Sequence, residues 1–188
     1  MTKHNRKSVW WRPRQCAFAR RKELSRWLRT APEEKQRRTL FTKSDMKYPV
    51  KIEKTGESWL VSFPDFPEAL TEDSSYEGAL DMAWHCLLST FDLYFEDLKE
   101  IPAPSAPEPG QVEIKLPVGL QAQIMLLNAF ILSGISKAEL ARRMSTHKQE
   151  VQRILSIKRK TKIDRVEQAL NALGFEFQLG MQTKARAN

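Results

Sequence analysis

Four acidic side chains are the first candidates for chemistry, because carboxylates that converge on divalent metal ions can clamp the attacking and leaving oxygens in phosphodiester cleavage. They are Asp65, Glu68, Asp81 and Asp92. The first two lie in a proline-bounded segment, whereas the other two are eleven residues apart in a predicted helix. Eleven residues span roughly 16 Å along a helix, so this spacing implies no close pair. The pattern favours an acidic surface over a metal site.

Other catalytic arrangements find no support in the sequence. His4, His85 and His147 are too dispersed to predict a ligand cluster, and the chain has neither a Ser/His/Asp pattern nor a glycine-rich phosphate loop. The two cysteines, Cys16 and Cys86, form no metal set and no disulfide framework. Cys86 lies in an apolar helical stripe and is predicted to be a core thiol, which fits a reducing cytoplasm. We therefore predict a protein that is not an enzyme and uses no metal or cofactor.

Side chains suited to reading nucleic-acid bases are concentrated on one face of a short predicted helix near residue 150. Val151, Ile154 and Leu155 recur at the spacing of a buried helical stripe. The opposite face is polar and basic, and a second basic cluster follows it. Glutamine can pair bidentately with adenine, and lysine can donate to guanine. The predicted DNA-contacting residues are Ser136, Thr146, His147, Lys148, Gln149, Gln152, Arg153, Lys158, Arg159 and Lys160.

Two predicted helices around a short break would position these side chains. Ser136 is a favourable N-cap, with Glu139 three residues later as in a capping box. After a break at Ser145, Thr146 is predicted to cap the second helix, and Gly174 is predicted to end a third. Short helices joined by a tight turn are typical of a helix-turn-helix that enters a DNA groove. The alternative is a small helical domain whose charged face is only solvated.

A set of residues in this stretch matches a known family. They are Glu139-Leu140-Ala141, Val151, Ile154 and Ala172-Leu173-Gly174. Through them, residues 134–174 resemble the lambda-repressor/Cro-like (XRE) family of helix-turn-helix domains, which implies binding to double-stranded DNA. One position departs from the family, because the glycine that is common at its turn is replaced by Ser145.

The net charge of +8 conceals a strong partition along the 188 residues. Residues 1–45 contain 14 basic and 4 acidic residues, whereas residues 46–116 contain 5 basic and 14 acidic residues. Residues 117–182 contain 10 basic and 5 acidic residues, and the tail at 183–188 adds 2 basic ones. An acidic middle part joined to a basic C-terminal part suggests two kinds of partner.

Residues 1–45 have the composition of a poorly ordered extension, rich in arginine and lysine and without a long apolar stripe. Trp10, Trp11 and Trp27 lie among arginines, a pattern that can also bind single-stranded nucleic acid. We favour the first interpretation, and a third is that translation starts at Met46. The sequence contains no secretory signal pattern and no apolar run of about 18 residues.

The part from Met46 to residue 116 predicts an α+β fold, a small sheet with one helix packed on it. Alternating apolar residues predict strands at 48–52, 59–63 and 112–116. Ser74 and Glu77 form a capping pair that predicts a long helix before the last strand. Two further segments are predicted to be irregular, a stiff loop at 63–67 and a proline-rich linker at 101–110.

The part from 117 to 182 predicts an all-α helix-turn-helix domain followed by one strand. Pro117 can open its first helix, which is largely apolar. The final strand, at 175–181, alternates apolar and polar residues and has no predicted neighbour. Because a lone strand is not stable, we expect it to pair with a second copy in a homodimer or higher homo-oligomer.

A second resemblance runs through most of the chain. It is carried by MKYPV at 46–50, VSFPDFPEA at 61–69, FDLYFED at 91–97, Ile101-Pro102, LLNAF at 126–130, ELARR at 139–143 and KQEV at 148–151. Through these motifs, residues 46–181 resemble the HicB antitoxin family, in its longer form with a C-terminal helix-turn-helix. The resemblance implies a partial RNase H-like fold for the acidic part. It also implies a protein that inhibits an mRNA-cleaving toxin of the HicA type and represses its own operon.

An acidic domain is electrostatically suited to cover a surface built for RNA, which fits the partner that the resemblance implies. The predicted toxin-binding residues are Trp59, Asp65, Phe66, Glu68, Glu72 and Asp73, with the aromatic ones as apolar anchors. Two other function classes remain open. One is a metal-dependent RNase H-like nuclease with a DNA-binding domain, and the other is a transcription regulator whose acidic domain senses a small ligand.

Overall fold

The computed structural model describes residues 46–178, and its fold is α+β as predicted. The strands are β1 (Lys47–Thr55), β2 (Ser58–Phe63), β3 (Phe66–Asp73) and β4 (Val112–Lys115). The helices are α1 (Tyr76–Glu96), α2 (Val118–Ser133), α3 (Lys137–Arg143), α4 (Lys148–Ile154) and α5 (Ile163–Leu173). The predictions for residues 1–45, with His4, Cys16 and the three tryptophans, and for the tail at 183–188 lie outside the described residues.

The four strands form one antiparallel sheet in the order β3-β2-β1-β4. In β1 and β2 the predicted period of two is confirmed at Val50, Val61 and Phe63, which are buried, and at Lys51, which is exposed, whereas Pro49 departs from it because it is buried as well. The hairpin between them turns at Gly56, whose φ of +64° suits a residue without a side chain. This alternation leaves one face of the sheet for α1 to cover.

Strand β3 was not predicted, and the prediction of a stiff loop over residues 63–67 was wrong. Only Pro64 and Asp65 form the turn, and Phe66 already begins β3. The new strand pairs antiparallel with β2, with a register shift between Ser62 and Phe63. A proline at 67 is compatible with this role because β3 is an edge strand, where a missing N–H costs no ladder bond.

Helix α1 begins one residue later than predicted. Its N-cap is Ser75 rather than Ser74, and the Ser75 Oγ accepts a hydrogen bond from the Gly78 N–H at 3.0 Å. Asp73 fixes this cap, since its Oδ1 accepts from the Ser75 N–H at 2.8 Å and the Ser75 hydroxyl at 3.0 Å. A Cβ on Gly78 would lie 2.2 Å from that same oxygen, so the site requires glycine.

Helix α1 packs on the sheet through small residues at its start and aromatic residues at its end. Phe91 is fully buried and meets the Tyr48 and Phe66 rings edge-on, each with centroids 5.5 Å apart. Tyr94 also meets Phe66, at 5.6 Å. Such pairs contribute about 0.5–1.5 kcal/mol each beyond the burial of their area. This aromatic cluster is the centre of the first core.

Helix α2 lies between two hydrophobic cores. Ile124 and Leu127 belong to the first core, with the sheet and α1, whereas Leu126 and Phe130 belong to a second core with α3, α4 and α5. A helix that is apolar on all sides is stable in water only when it is buried on all sides. Helix α2 therefore connects the acidic part to the basic part through packing and not only through the chain.

Three buried amide side chains on α2 tie it to its neighbours. Asn128 pairs with the backbone of Ile101, accepting at 3.0 Å and donating at 2.8 Å. Gln121 donates to the Leu116 carbonyl at 2.7 Å. Gln123 donates to the Ser156 carbonyl at 3.1 Å. Because a buried polar group that lost its partner would cost about 1–3 kcal/mol, these bonds fix the helix in one position.

Helices α3 and α5 end in the same backbone motif. After α5, the Gly174 and Phe175 N–H groups donate to Asn171 and Leu170, and Gly174 has a φ of +90°. After α3, the Ser145 and Thr146 N–H groups donate in the same pattern, and Ser145 has a φ of +51°. Ser145 thus adopts the left-handed conformation that the family's turn glycine would supply without strain.

The predicted final strand is not formed over residues 175–178, and the rest of 175–181 lies outside the described residues. Phe175 and Phe177 are instead half-buried against the second core. A strand requires a hydrogen-bonded neighbour, and within residues 46–178 no strand lies beside this segment.

Candidate functional site

The α3–turn–α4 unit (residues 137–154) presents the face that was predicted to contact DNA. Val151 and Ile154 are fully buried in the second core, so the orientation of α4 about its axis is fixed. The opposite face is exposed, with Lys148, Gln149 and Gln152 in contact with solvent. The structure therefore brings these three predicted side chains together on one short helix.

The caps of these two helices follow the prediction only in part. The Ser136 Oγ accepts from the Glu139 N–H at 3.1 Å, which confirms the predicted cap of α3. The N-cap of α4 is His147, and no side-chain bond caps that helix, so the prediction for Thr146 was wrong. Thr146 precedes the N-cap by one residue. Its N–H closes the turn after α3 by donating to the Ala141 carbonyl at 2.9 Å.

Two of the predicted DNA-contacting residues, Arg153 and Lys158, have an acidic partner in the chain. Arg153 forms a bidentate pair with Glu150, with nitrogen–oxygen distances of 2.6 and 2.8 Å. Lys158 lies 2.5 Å from the Glu96 Oε1 and 3.2 Å from the Asp92 Oδ2. Both carboxylates raise the pKa of Lys158, and the hydrogen bond that Lys158 donates to Glu96 has the largest effect. Arg159 and Lys160 in the same loop are exposed as well.

Glu139, in the first turn of α3, pairs with both arginines in the last turn of the same helix. Its carboxylate accepts from Arg142 at 2.8 Å and from Arg143 at 3.0 Å. These hydrogen bonds, with Arg142 the larger influence, lower the pKa of Glu139 to about 2. The two arginines therefore remain paired over the neutral pH range.

In the acidic part, most of the predicted toxin-binding residues have structural partners. Phe66 is completely buried, so its prediction as a surface anchor was wrong. Glu68 accepts from the Tyr94 hydroxyl at 2.6 Å, a hydrogen bond that lowers the pKa of Glu68. Asp65 accepts from the Ser105 N–H at 3.1 Å. Asp73 holds the cap of α1 as described above.

The two remaining candidates differ from each other. Trp59 is half-buried, with its ring edge-on to Tyr76 at 5.1 Å. Glu72 is exposed on the outer face of the sheet. Leu70, which sequence reasoning missed, lies on the same face and is 60% exposed, and Leu60 lies opposite Glu72 on β2. The alternation of buried Ala69 and exposed Leu70 could have revealed this patch, but only once β3 was recognised as a strand.

The candidate nuclease carboxylates do not converge. Asp65, Glu68 and Asp92 are engaged with Ser105, Tyr94 and Lys158 respectively. Over residues 46–178, no group of three or more His, Cys, Asp or Glu side chains is placed to hold a metal ion.

Over the same residues, 46–178, no single helix is long and apolar enough to cross a membrane, although α2 and α3 together would pass on length and composition.

Comparisons with known proteins agree on one family. The profile of a family described as HicB_like antitoxin of bacterial toxin-antitoxin system matches residues 47–125. The chain is 47% identical to antitoxin HicB 2 of Photorhabdus laumondii over 135 residues, which cover 72% of this chain and 96% of that protein. It is 42% identical to antitoxin HicB of Escherichia coli over 137 residues, covering 72% and 99%. It is 34% identical to antitoxin HicB of Pseudomonas fluorescens over 131 residues, covering 69% and 89%.

Proposed function

The chain belongs to the HicB antitoxin family, and from this premise we propose that it binds and inhibits a HicA-type mRNA-cleaving toxin and represses its own operon by binding operator DNA. Both activities are binding activities, exerted in the cytoplasm without metal, cofactor or catalysis. Each part of the chain has one of these two activities: the acidic sheet part binds the toxin, and the basic helical part binds DNA.

For DNA binding, we propose that α3 and α4 form a helix-turn-helix with α4 in the major groove. The observation that carries this proposal is the exposed Lys148, Gln149 and Gln152 on the side of α4 opposite buried Val151 and Ile154. Those three side chains would read base edges, as amide and ammonium groups do in the major groove. In a helix-turn-helix the N-terminal residues of the second helix contact base edges, which favours Lys148 and Gln149 in the first turn of α4.

Phosphate contacts would surround the recognition helix. Arg159 and Lys160 are exposed in the loop that follows α4. Ser136, Thr146 and His147 lie at the helix starts, where backbone N–H groups suit an anion. Arg153 keeps its charge near the same face although it is paired with Glu150. These groups would supply affinity that does not depend on sequence and that falls with salt.

The test replaces Lys148 and Gln149 by alanine together in the full chain. We expect the specific operator complex to lose about 2–6 kcal/mol, at about 1–3 kcal/mol for each base contact. Affinity for random duplex should change far less. The matched control replaces Lys54 and Gln111, a lysine and a glutamine of the sheet part and away from α4, and should bind like the wild type. An equal loss on both duplexes would contradict the assignment of base contacts.

For toxin binding, the acidic part offers 14 acidic against 5 basic residues over 46–116, which favours a cationic partner. We propose that the contact surface includes the outer sheet face around Glu72 and Leu70, a charged residue beside an exposed apolar one. Trp59 would contribute only its exposed edge. Asp65, Glu68 and Asp73 would act indirectly, by shaping the turn and the cap that border this face.

We also propose a homodimer that pairs the segment beginning at Phe175 with its copy. Phe175 and Phe177 are only half-buried and could be covered further by a partner. Gln178→Pro would remove one strand N–H without removing an apolar side chain. Light scattering should then show monomers, whereas dimers that persist at low micromolar concentration would place the interface elsewhere.

A further inference from the structure

The basic loop at residues 156–161 follows the proposed recognition helix, yet it is docked on the acidic part of the chain. Ile157 is half-buried against the first core, which the sheet and α1 build. The next residue, Lys158, reaches the last turns of α1, with its Nζ 2.5 Å from Glu96 and 3.2 Å from Asp92. The end of α1 thus binds one of the cations that the DNA-contacting loop carries.

The backbone of this loop is fixed from a second side. The Gln123 amide, 7% exposed in α2, donates to the Ser156 carbonyl at 3.1 Å, and the Arg159 carbonyl and Thr161 hydroxyl lie 3.5 Å from the same nitrogen. Because the backbone is held by Gln123 and Ile157, a change of partner at this loop need involve only side chains. The Lys158 side chain is 58% exposed and has the freedom to make such a change.

The energies of the two alternatives are of similar size. Exposed ion pairs are weak, and here the Glu96 side chain is 57% exposed while that of Asp92 is 29% exposed. A lysine at the C-terminal end of a helix also interacts favourably with the helix dipole. A DNA phosphate near the loop would offer Lys158 a single negative charge within the high charge density of the duplex. Lys158 would therefore exchange between the carboxylates of α1 and a DNA phosphate.

We propose that Asp92 and Glu96 form an intramolecular latch that competes with DNA phosphate for Lys158 and so lowers the affinity of the chain for duplex DNA. This inference rests on the proposed DNA-binding function, and it assigns the regulation of that same surface to the end of α1. In the latched state Lys158 neutralises the carboxylates at the end of α1 and does not contact DNA. Arg159 and Lys160 remain available to the phosphates of the duplex.

The experiment opens the latch by changing Asp92→Asn and Glu96→Gln together in the full chain. Binding to operator duplex and to random duplex is measured by fluorescence anisotropy over a series of salt concentrations. We expect both duplexes to bind about two- to five-fold more tightly, which is the affinity equivalent of a weak exposed ion pair. The slope of log affinity against log salt should steepen by about 0.9, the value for one added phosphate contact.

The matched control changes Glu77→Gln and Asp81→Asn, two exposed carboxylates near the other end of α1. This pair removes the same charge from the chain, so any general electrostatic gain would appear in both variants. We expect the control to leave the salt slope unchanged. Thermal unfolding of each variant establishes that the fold is retained.

The decisive comparison repeats the two latch changes in a Lys158→Ala background. The latch predicts that the gain in affinity and in salt slope disappears there. A gain of the same size without Lys158, or no gain in the first variant, would overturn the latch while leaving DNA binding intact. If neither the wild type nor any variant binds either duplex, the proposed DNA-binding function fails, and the latch fails with it.

Discussion

The sheet part and the helical part of this chain use their conspicuous polar and aromatic residues in different ways. In the sheet part, Phe66, Glu68 and Asp73 stood out in the sequence, and the structure uses all three to build the fold. In the helical part, Lys148 and Gln149 stood out, and they remain exposed. In this chain, the polar and aromatic candidates for binding in the sheet part stabilise the fold, whereas those on α4 are free to contact a partner.

The physical reason lies in how each element separates its faces. On an amphipathic helix the 3.6-residue period assigns each residue to the core or to solvent before any tertiary contact is known. In a strand that starts directly after a proline turn, the face of each residue depends on the register with its neighbour. The register shift at Ser62 and Phe63 is such a case, and the sequence around it does not reveal it.

The largest expected effect tests the sheet side of this contrast. Phe66→Ala should lower the free energy of unfolding by about 3–5 kcal/mol, since it opens a cavity among three aromatic rings. Leu70→Ala, four residues further along β3 and 60% exposed, should cost less than about 1 kcal/mol. Denaturant titration of both full-length variants measures the difference. A small effect at Phe66 would mean that its side chain is not packed among these rings.

A smaller effect tests the turn on the helical side. Ser145→Gly should change the free energy of unfolding by about 0 to 1 kcal/mol in the stabilising direction, because relief of strain at a φ of +51° outweighs the added freedom of the unfolded chain. Ser145→Val should destabilise by about 1–2 kcal/mol, since a β-branched residue suits that conformation poorly. If valine were tolerated as well as glycine, the left-handed turn would be absent in solution.

The smallest effect concerns two carboxylates, one in each part. The pKa of Glu139 is lowered to about 2, first by its hydrogen bond with Arg142, and the pKa of Glu68 is lowered by the Tyr94 hydroxyl. Lowered pKa values mean that both stabilising contributions are fully present above the ordinary value of 4.5. For Glu139 the contribution is lost as the pH falls towards 2.

Carboxyl-carbon NMR titration measures both groups. Arg142→Ala should move the midpoint of Glu139 upwards, and Tyr94→Phe should do the same for Glu68, each without moving the other. A wild-type Glu139 that titrates near 4.5 would show that its two arginines are not paired with it and are available to DNA.

Much of the fold could be predicted from periodicity, but its junctions could not. The strands that contain Val50 and Val61 and the stripes of α4 and α5 follow from local patterns. Strand β3 could not be predicted, because Pro64 and Pro67 mark a loop in most contexts. The role of α2 could not be predicted either, since a helix with apolar residues on all its sides does not indicate which side meets which core. The same limit hid the pairing of Lys158 with Glu96, 62 residues apart in the chain.

The central claim is that toxin inhibition and DNA reading belong to different parts of one antitoxin. The most direct measurement is growth of cells that express a HicA-type toxin together with either the wild-type chain or its Lys148→Ala/Gln149→Ala variant. The account predicts that both chains restore growth equally, although only the wild type binds the operator specifically. Failure of the soluble wild-type chain to restore growth, or loss of rescue in a folded variant, would contradict it.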